Sequence, residues 1–156
     1  MRILILYATK HGAAREIAQR IADNMRGAAL HDLKQGGPPP LEQFDCVIIG
    51  SSLYAGMIRK EAKEYLSQNA ETLRGKRLGL FLCGMDGSRE KECFEANFPP
   101  ALVEQAKEAA FLGGVFDPKK TGVVGRLVMK AAAGQSGYAD TIDDEKIRRF
   151  AEVMGA

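Results

Sequence analysis

The sequence predicts a doubly wound α/β domain built on a five-stranded parallel sheet with helices on both faces. Three observations point to it. Apolar runs of strand length alternate with segments of helical period along the chain. The runs are continuous rather than alternating, as strands covered on both faces require. Helices fall between successive strands, so a βα-repeated sheet is the natural architecture.

Residues 3–7 (Ile-Leu-Ile-Leu-Tyr) form the first strand. Apolar positions 14, 17, 18, 21, 22 and 25 then mark one face of an amphipathic helix, with Gly27 as its stop. Residues 28–33 read as a short second strand, and the Gly-Gly-Pro-Pro-Pro stretch within 35–40 as a surface loop. Residues 44–50 are the central strand and 51–58 a loop. A helix over 60–73 turns Ala62, Tyr65, Leu66, Ala70 and Leu73 inward. Residues 77–83 are the fourth strand, followed by a loop over 84–88. A helix over 99–107, with proline in its first turn, leads to a fifth strand at 110–116. The terminal helix, 143–154, starts with a Thr141-x-x-Asp144 capping pattern and buries Ile147, Phe150, Ala151 and Met154.

Composition narrows the function classes. At 156 residues the chain suits one domain spanning 1–156, large enough to bury roughly 70% of its unfolded surface. No apolar run approaches the roughly 20 residues that span a bilayer, and the N-terminus is strand-like rather than a signal peptide. Cys46, Cys83 and Cys93 are odd in number and lack C-x-x-C spacing. A disulfide framework or zinc site is therefore not expected, and a cytoplasmic location is. With His11 and His31 as its only histidines, the chain holds no conventional metal or triad set. The net charge is +2, unevenly placed. Between Asp117 and Asp140 lie Lys119, Lys120, Arg126 and Lys130 and no acid; the remainder has 18 cations against 20 acids.

The chemistry concentrates at one sheet edge. Ligands of such sheets sit beyond the carboxyl ends of the strands, where strand order reverses. Loops 8–13, 51–58 and 84–89 occupy that edge. The first runs from a strand directly into a helix, so its N–H groups and the positive helix end suit a phosphate. It matches neither G-x-G-x-x-G nor G-x-x-x-x-G-K-[ST], so dinucleotide and P-loop binding do not follow. An ordinary βα turn is the competing reading.

These three loops are where the chain resembles the flavodoxin family, and the resemblance spans essentially all residues. Thr9, Lys10, His11, Gly12, Ala13 and Ala14 match its phosphate loop. Ser51, Ser52, Leu53, Tyr54, Ala55 and Gly56 resemble the segment beside the flavin ring, and Cys83, Gly84, Met85 and Asp86 the loop at its pyrimidine end. The resemblance implies FMN as cofactor and a strand order of 2-1-3-4-5. It makes Tyr54 the stacking aromatic and the Ala55–Gly56 peptide the one that turns toward the flavin, since glycine tolerates both backbone states.

The departures are specific. Thr9 is the sole hydroxyl of a loop that usually carries several, the third loop has Arg89 near the place of an outer tyrosine, and the chain is not strongly acidic. One ring face would then be open to a substrate or partner. A narrower resemblance, to flavodoxin-fold menaquinone-dependent protoporphyrinogen IX dehydrogenases, rests on a basic insert at 117–141 between the last strand and last helix. There Val124, Leu127, Val128 and Ala131 share one helical face, and Arg126 and Lys130 lie a turn apart on another. Such a face suits the inner face of the cell membrane or a docking groove, or packs on its own domain.

Three function classes stay open: an FMN-dependent oxidoreductase acting on a quinone or porphyrinogen, a one-electron carrier between protein partners, and a non-flavin module of the same fold. A phosphorylated response-regulator-like module would need an acidic cluster after the first strand, which is missing. No catalytic residue, metal ligand or nucleic-acid partner is singled out.

Overall fold

The computed structural model describes residues 1–133 and 137–156, leaving aside the side chains of Val128, Met129, Ala132 and Ala133. Its elements, in chain order, are β1 (Ile3–Ala8), α1 (Ala13–Asp23), β2 (Ala29–Asp32), β3 (Cys46–Tyr54), β4 (Met57–Ile58), α2 (Lys60–Leu73) and β5 (Arg77–Cys83). There follow α3 (Glu90–Asn97), α4 (Pro100–Gln105), β6 (Glu108–Phe111), β7 (Val115–Phe116), α5 (Val123–Ala133), β8 (Ala139–Asp140) and α6 (Asp144–Gly155).

The main sheet has the order β2-β1-β3-β5-β6, and the pairs along this path are parallel. With the short hairpin strand β4 set aside, this is the expected 2-1-3-4-5 order. Strand order reverses between β1 and β3, where Tyr7 lies opposite Gly50 and Ala8 opposite Ser51.

Alternation along each strand feeds two cores. Leu4, Leu6, Val47, Ile49, Leu78, Leu80 and Leu82 face α2, α3 and α4, meeting Ala62, Tyr65, Leu66, Phe94 and Leu102. Ile3, Ile5, Ile48 and Phe81 face the opposite way, onto Ile17 and Ile21 of α1 and Ile147, Phe150 and Met154 of α6. The continuous apolar strands follow from this: both sheet faces are covered, so each side chain is buried in one core or the other.

Three expectations need correction, and one helix was not expected. The central strand does not stop at Gly50; β3 runs on to Tyr54 and folds back through β4. Ser51 and Ser52 made that stretch look like a loop, but Ser51 is buried with its hydroxyl satisfied, so its polarity does not end the strand. The segment between the third loop and Pro99 holds a helix, α3, that no expectation covered; Phe94 is its buried residue, too little for a periodic signal. The fifth strand ends at Phe111, because Gly113 (φ 87°) turns the chain, and Val115–Phe116 pairs instead with Ala139–Asp140. Finally, Asp143 caps α6 by accepting from Lys146 N at 3.0 Å. Thr141 instead braces Gly114. Its hydroxyl accepts from Gly114 N at 3.1 Å, and its own N–H donates to Gly114 O at 2.8 Å.

Candidate functional site

The carboxyl ends of β1, β3 and β5 open into one cleft. Lys10, His11 and Ala13 line it from the first loop, Ser52, Leu53 and Tyr54 from the end of β3, and Cys83, Gly84 and Met85 from the end of β5. A fourth segment closes it: Gly114, Val115, Phe116, Asp117 and Thr121. Of the residues expected at the site, Thr9, Gly12, Ala14, Ser51, Ala55, Gly56 and Asp86 are not part of this lining; Ala14 and Ser51 are buried, and Ala55, Gly56 and Asp86 are exposed.

The first loop is braced internally. Gly12 N–H donates to Thr9 Oγ1 at 2.8 Å, closing a tight turn at the mouth of α1. A hydroxyl that accepts there keeps its own proton to donate outward. Gly12 has φ 102°, a conformation that disfavours any side chain, and no side chain caps α1. The first-turn N–H groups of α1 therefore point their unmet hydrogen-bonding capacity past the loop. Ala14 is buried in the core and anchors this turn against the sheet.

The second loop is a hairpin rather than an open loop. Ala55 (φ 51°) and Gly56 (φ 77°) both take left-handed backbone, the pattern of a two-residue turn whose twist matches its strands. Ala55 has no polar side chain to ease that conformation, so the turn holds about 1–2 kcal/mol of strain. Asn97 of α3 clamps it. Its amide donates to Gly56 O at 3.0 Å and to Cys93 O at 2.9 Å, and its carbonyl accepts from Ile58 N at 3.0 Å. Ser51 Oγ accepts from Arg59 N at 2.9 Å, tying the same hairpin to the start of α2. Tyr54 is thus held at the cleft from both sides.

The third loop meets the fourth segment through backbone. Gly84 N donates to Gly113 O at 3.0 Å. A Cβ on Gly114 would lie about 3 Å from Gly84 N, C and O, so only glycine permits this approach. Asp86 Oδ1 accepts from Ser88 N at 2.9 Å; hydrogen bonds from Ser88, with Arg89 nearby, hold its carboxyl below the usual range. It stabilises the turn.

Electrostatically the cleft leans positive. Lys10 Nζ sits 3.8 Å from the centre of the Tyr54 ring. His11 is pushed below its ordinary pKa, first by partial desolvation and then by the charges of Lys10, Arg59 and Lys120. Asp117 is the carboxylate in the lining, and its Oδ1 accepts from Lys119 N. Burial drives the Cys83 thiol well up, which favours its protonated, weakly nucleophilic form.

Ser52 Oγ supplies the test of fit. It is buried, lies in the cleft wall, and has no hydrogen-bond partner among the described residues. An orphaned hydroxyl in the cleft wall, beside Lys10, His11, Asp117 and Thr121, suits a ligand with a polar edge. With a flat ring at Tyr54 and free N–H groups at α1, the residues fit a flat heteroaromatic group carrying a phosphate.

Sequence patterns alone do not reveal the fourth segment. Its one signal is the Gly113-Gly114 pair directly after Leu112, too abrupt for a continuing strand.

Comparison with known proteins agrees with this fold. No curated protein matches the chain. Among solved structures, a short-chain flavodoxin associated with a non-canonical PDU bacterial microcompartment superposes with a TM-score of 0.60 at 17% identity, covering 99% of this chain and 97% of that one. Oxidised flavodoxin 2 from Bacillus cereus gives 0.60 at 19%, with 99% and 97% covered. Rubredoxin oxygen:oxidoreductase from the anaerobe Desulfovibrio gigas gives 0.58 at 16%; the match covers 99% of this chain but 35% of that longer one. At these identities the likeness is one of fold. The family profile described as Flavodoxin domain matches residues 4–142, and the chain belongs to that family.

Proposed function

We propose that this chain is an FMN-binding redox protein, an oxidoreductase of the kind represented by menaquinone-dependent protoporphyrinogen dehydrogenases. Residues 1–156 act as one cofactor-binding domain with a basic insert at 117–141. The observation that carries the reading is the cleft itself: three loops converge where strand order reverses, around an orphaned Ser52 hydroxyl and a presented Tyr54 ring. The cofactor is FMN, which when bound supplies hydride and single-electron transfer.

The chain's own residues bind and orient. N–H groups of the first loop and of α1, with the Thr9 hydroxyl, hold the phosphate, and Lys10 and His11 add to them. Tyr54 gives the ring a flat support, Ser52 a hydrogen bond, and the Cys83–Asp86 loop its polar edge. The Ala55–Gly56 peptide is the one that would turn toward the ring, while the Asn97 amide holds the next carbonyl, that of Gly56.

The insert supports an enzyme working at a lipid surface. Val123, Val124 and Leu127 of α5 are largely exposed, as is Tyr138 further along the insert, and Arg126 and Lys130 of α5 are exposed too. Val124 and Leu127 are members of the expected apolar face, so that part of it does not pack on the domain. Val128 lies outside the described side chains. Among the described residues no helix is long and apolar enough to cross a membrane. The insert would rest on the anionic inner face of the cell membrane, where quinones reside.

The carrier reading is favoured by the family itself, and one experiment separates the two. FMN-loaded protein, reduced anaerobically, is mixed with menaquinone in detergent. Rapid stoichiometric reoxidation, sustained over many turnovers when a reductant is present, supports the enzyme. Reoxidation by a small electron-carrier protein but not by menaquinone establishes the carrier.

A further inference from the structure

Lys10 is an exposed cation on the first loop whose ammonium lies over an aromatic ring rather than beside an acid. Its Nζ is 3.8 Å from the Tyr54 ring centre, well inside cation–π range. Among the described residues no carboxylate comes within 4.0 Å of it, although most ion pairs here are local helix pairs of ordinary geometry. Lys10 and Tyr54 line the same cleft, so a cation with no ion-pair partner among the described residues is held at the place where the cofactor's ring would lie. Arg59 and Lys120 reinforce the field there, as the depressed His11 pKa records, and Asp117 opposes it from the fourth segment.

We propose that Lys10 tunes the cofactor: its ammonium leaves the Tyr54 face when the ring binds, stays in the cleft, and stabilises the negative charge of the reduced flavin over the neutral oxidised form. The inference rests on the FMN reading above. Two electrons and one proton from an external donor convert a neutral oxidised ring into a reduced ring with one negative charge. The proton goes to the ring nitrogen N5, and the charge spreads over the pyrimidine half. Nothing is taken from Lys10; its proton stays on the ammonium, and only the field acts.

The magnitude can be bounded. A unit charge roughly 8–10 Å away at an effective dielectric near 20 shifts such an equilibrium by about fifteen- to thirtyfold, and exposure and salt reduce this to about three- to tenfold. Tenfold is about 30 mV for a two-electron couple. The direction matters as much as the size. A cleft that favours the charged reduced ring makes completed two-electron reduction easier, which suits exchange of electron pairs with a small molecule.

The test uses FMN-loaded protein. Midpoint potentials are measured against reference dyes during anaerobic reduction by dithionite, for the wild type, Lys10→Met, Lys10→Gln and Lys10→Arg. Because Lys10 is exposed on a loop, these variants are expected to fold; since Lys10 also adds to the hold on the phosphate, each is measured with FMN in saturating excess, and quenching of FMN fluorescence verifies that it is loaded. The expected result is a three- to tenfold loss in the equilibrium constant for reduction in Met and Gln, with Arg within about twofold of wild type. Met and Gln potentials indistinguishable from wild type in loaded protein overturn the role of Lys10 while leaving FMN binding intact. An Arg variant that behaves like Met also overturns it, since charge would then not be the agent. Failure of the wild type to take up FMN overturns the underlying reading instead.

Discussion

The two sides of the cleft are built by different means. The side made by the loops after β1, β3 and β5 stands on parallel strands buried on both faces, and each loop is braced by hydrogen bonds, the first within itself, the second by α3 and the third by Gly113. Gly12 is tied to Thr9, Gly56 and Ile58 to Asn97, and Gly84 to Gly113. The other side, Gly114 to Thr121, stands on a two-residue pairing of β7 with β8 and on the double link between Gly114 and Thr141. Beyond it, α5 shows Val123, Val124 and Leu127 to the outside. The first side has little freedom to vary without unseating the sheet. The second can change its face while Gly114 stays in place, so it is where a common fold acquires a particular partner.

The largest effect that would break this comparison concerns the second side. Replacing Lys119, Lys120, Arg126 and Lys130 by Gln should weaken binding to anionic liposomes by several hundredfold or more. Each basic residue near such a surface contributes about 1 kcal/mol, and added salt should weaken the wild type in the same direction. FMN affinity should change far less, because the cleft is lined by Asp117 and Thr121 rather than by these four side chains, of which Lys120 alone adds to the field at His11. Sedimentation with vesicles, run beside an FMN titration, measures both. A wild type that ignores vesicles removes the membrane role, and a variant that loses FMN makes the insert part of the cofactor site.

A smaller contrast sharpens the account of the first side. Gly12→Pro should abolish FMN binding, because proline cannot adopt φ 102° and deletes the N–H that closes the loop onto Thr9. Thr9→Ala should cost about 0.5–3 kcal/mol, since the helix N–H groups remain. Isothermal titration of the two variants gives the comparison. If Thr9→Ala were the worse of the two, a side-chain hydroxyl rather than the backbone would hold the phosphate.

The same contrast explains what the sequence disclosed. Strands that bury both faces carry an unmistakable signature, and the bounds of β5 and α2 match the expectation residue for residue. The convergence of three loops followed from topology alone. The misses share a physical cause. Ser51 and Ser52 continue β3 because hydrogen bonding, invisible in composition, satisfies the first and leaves the second facing the cleft. Thr141 has the spacing of a helix cap but braces Gly114, a contact across 27 residues that no local pattern encodes. The Lys10–Tyr54 contact likewise joins two loops that are distant in sequence.

The central claim is that the cleft at the strand-order reversal holds one FMN. Titrating FMN into apo-protein while following flavin fluorescence tests it most directly, with Tyr54→Leu run in parallel. The account predicts saturable quenching that breaks near one equivalent for the wild type, and weaker binding with less quenching when the ring is removed. Quenching that never saturates, or that is identical without Tyr54, would contradict it.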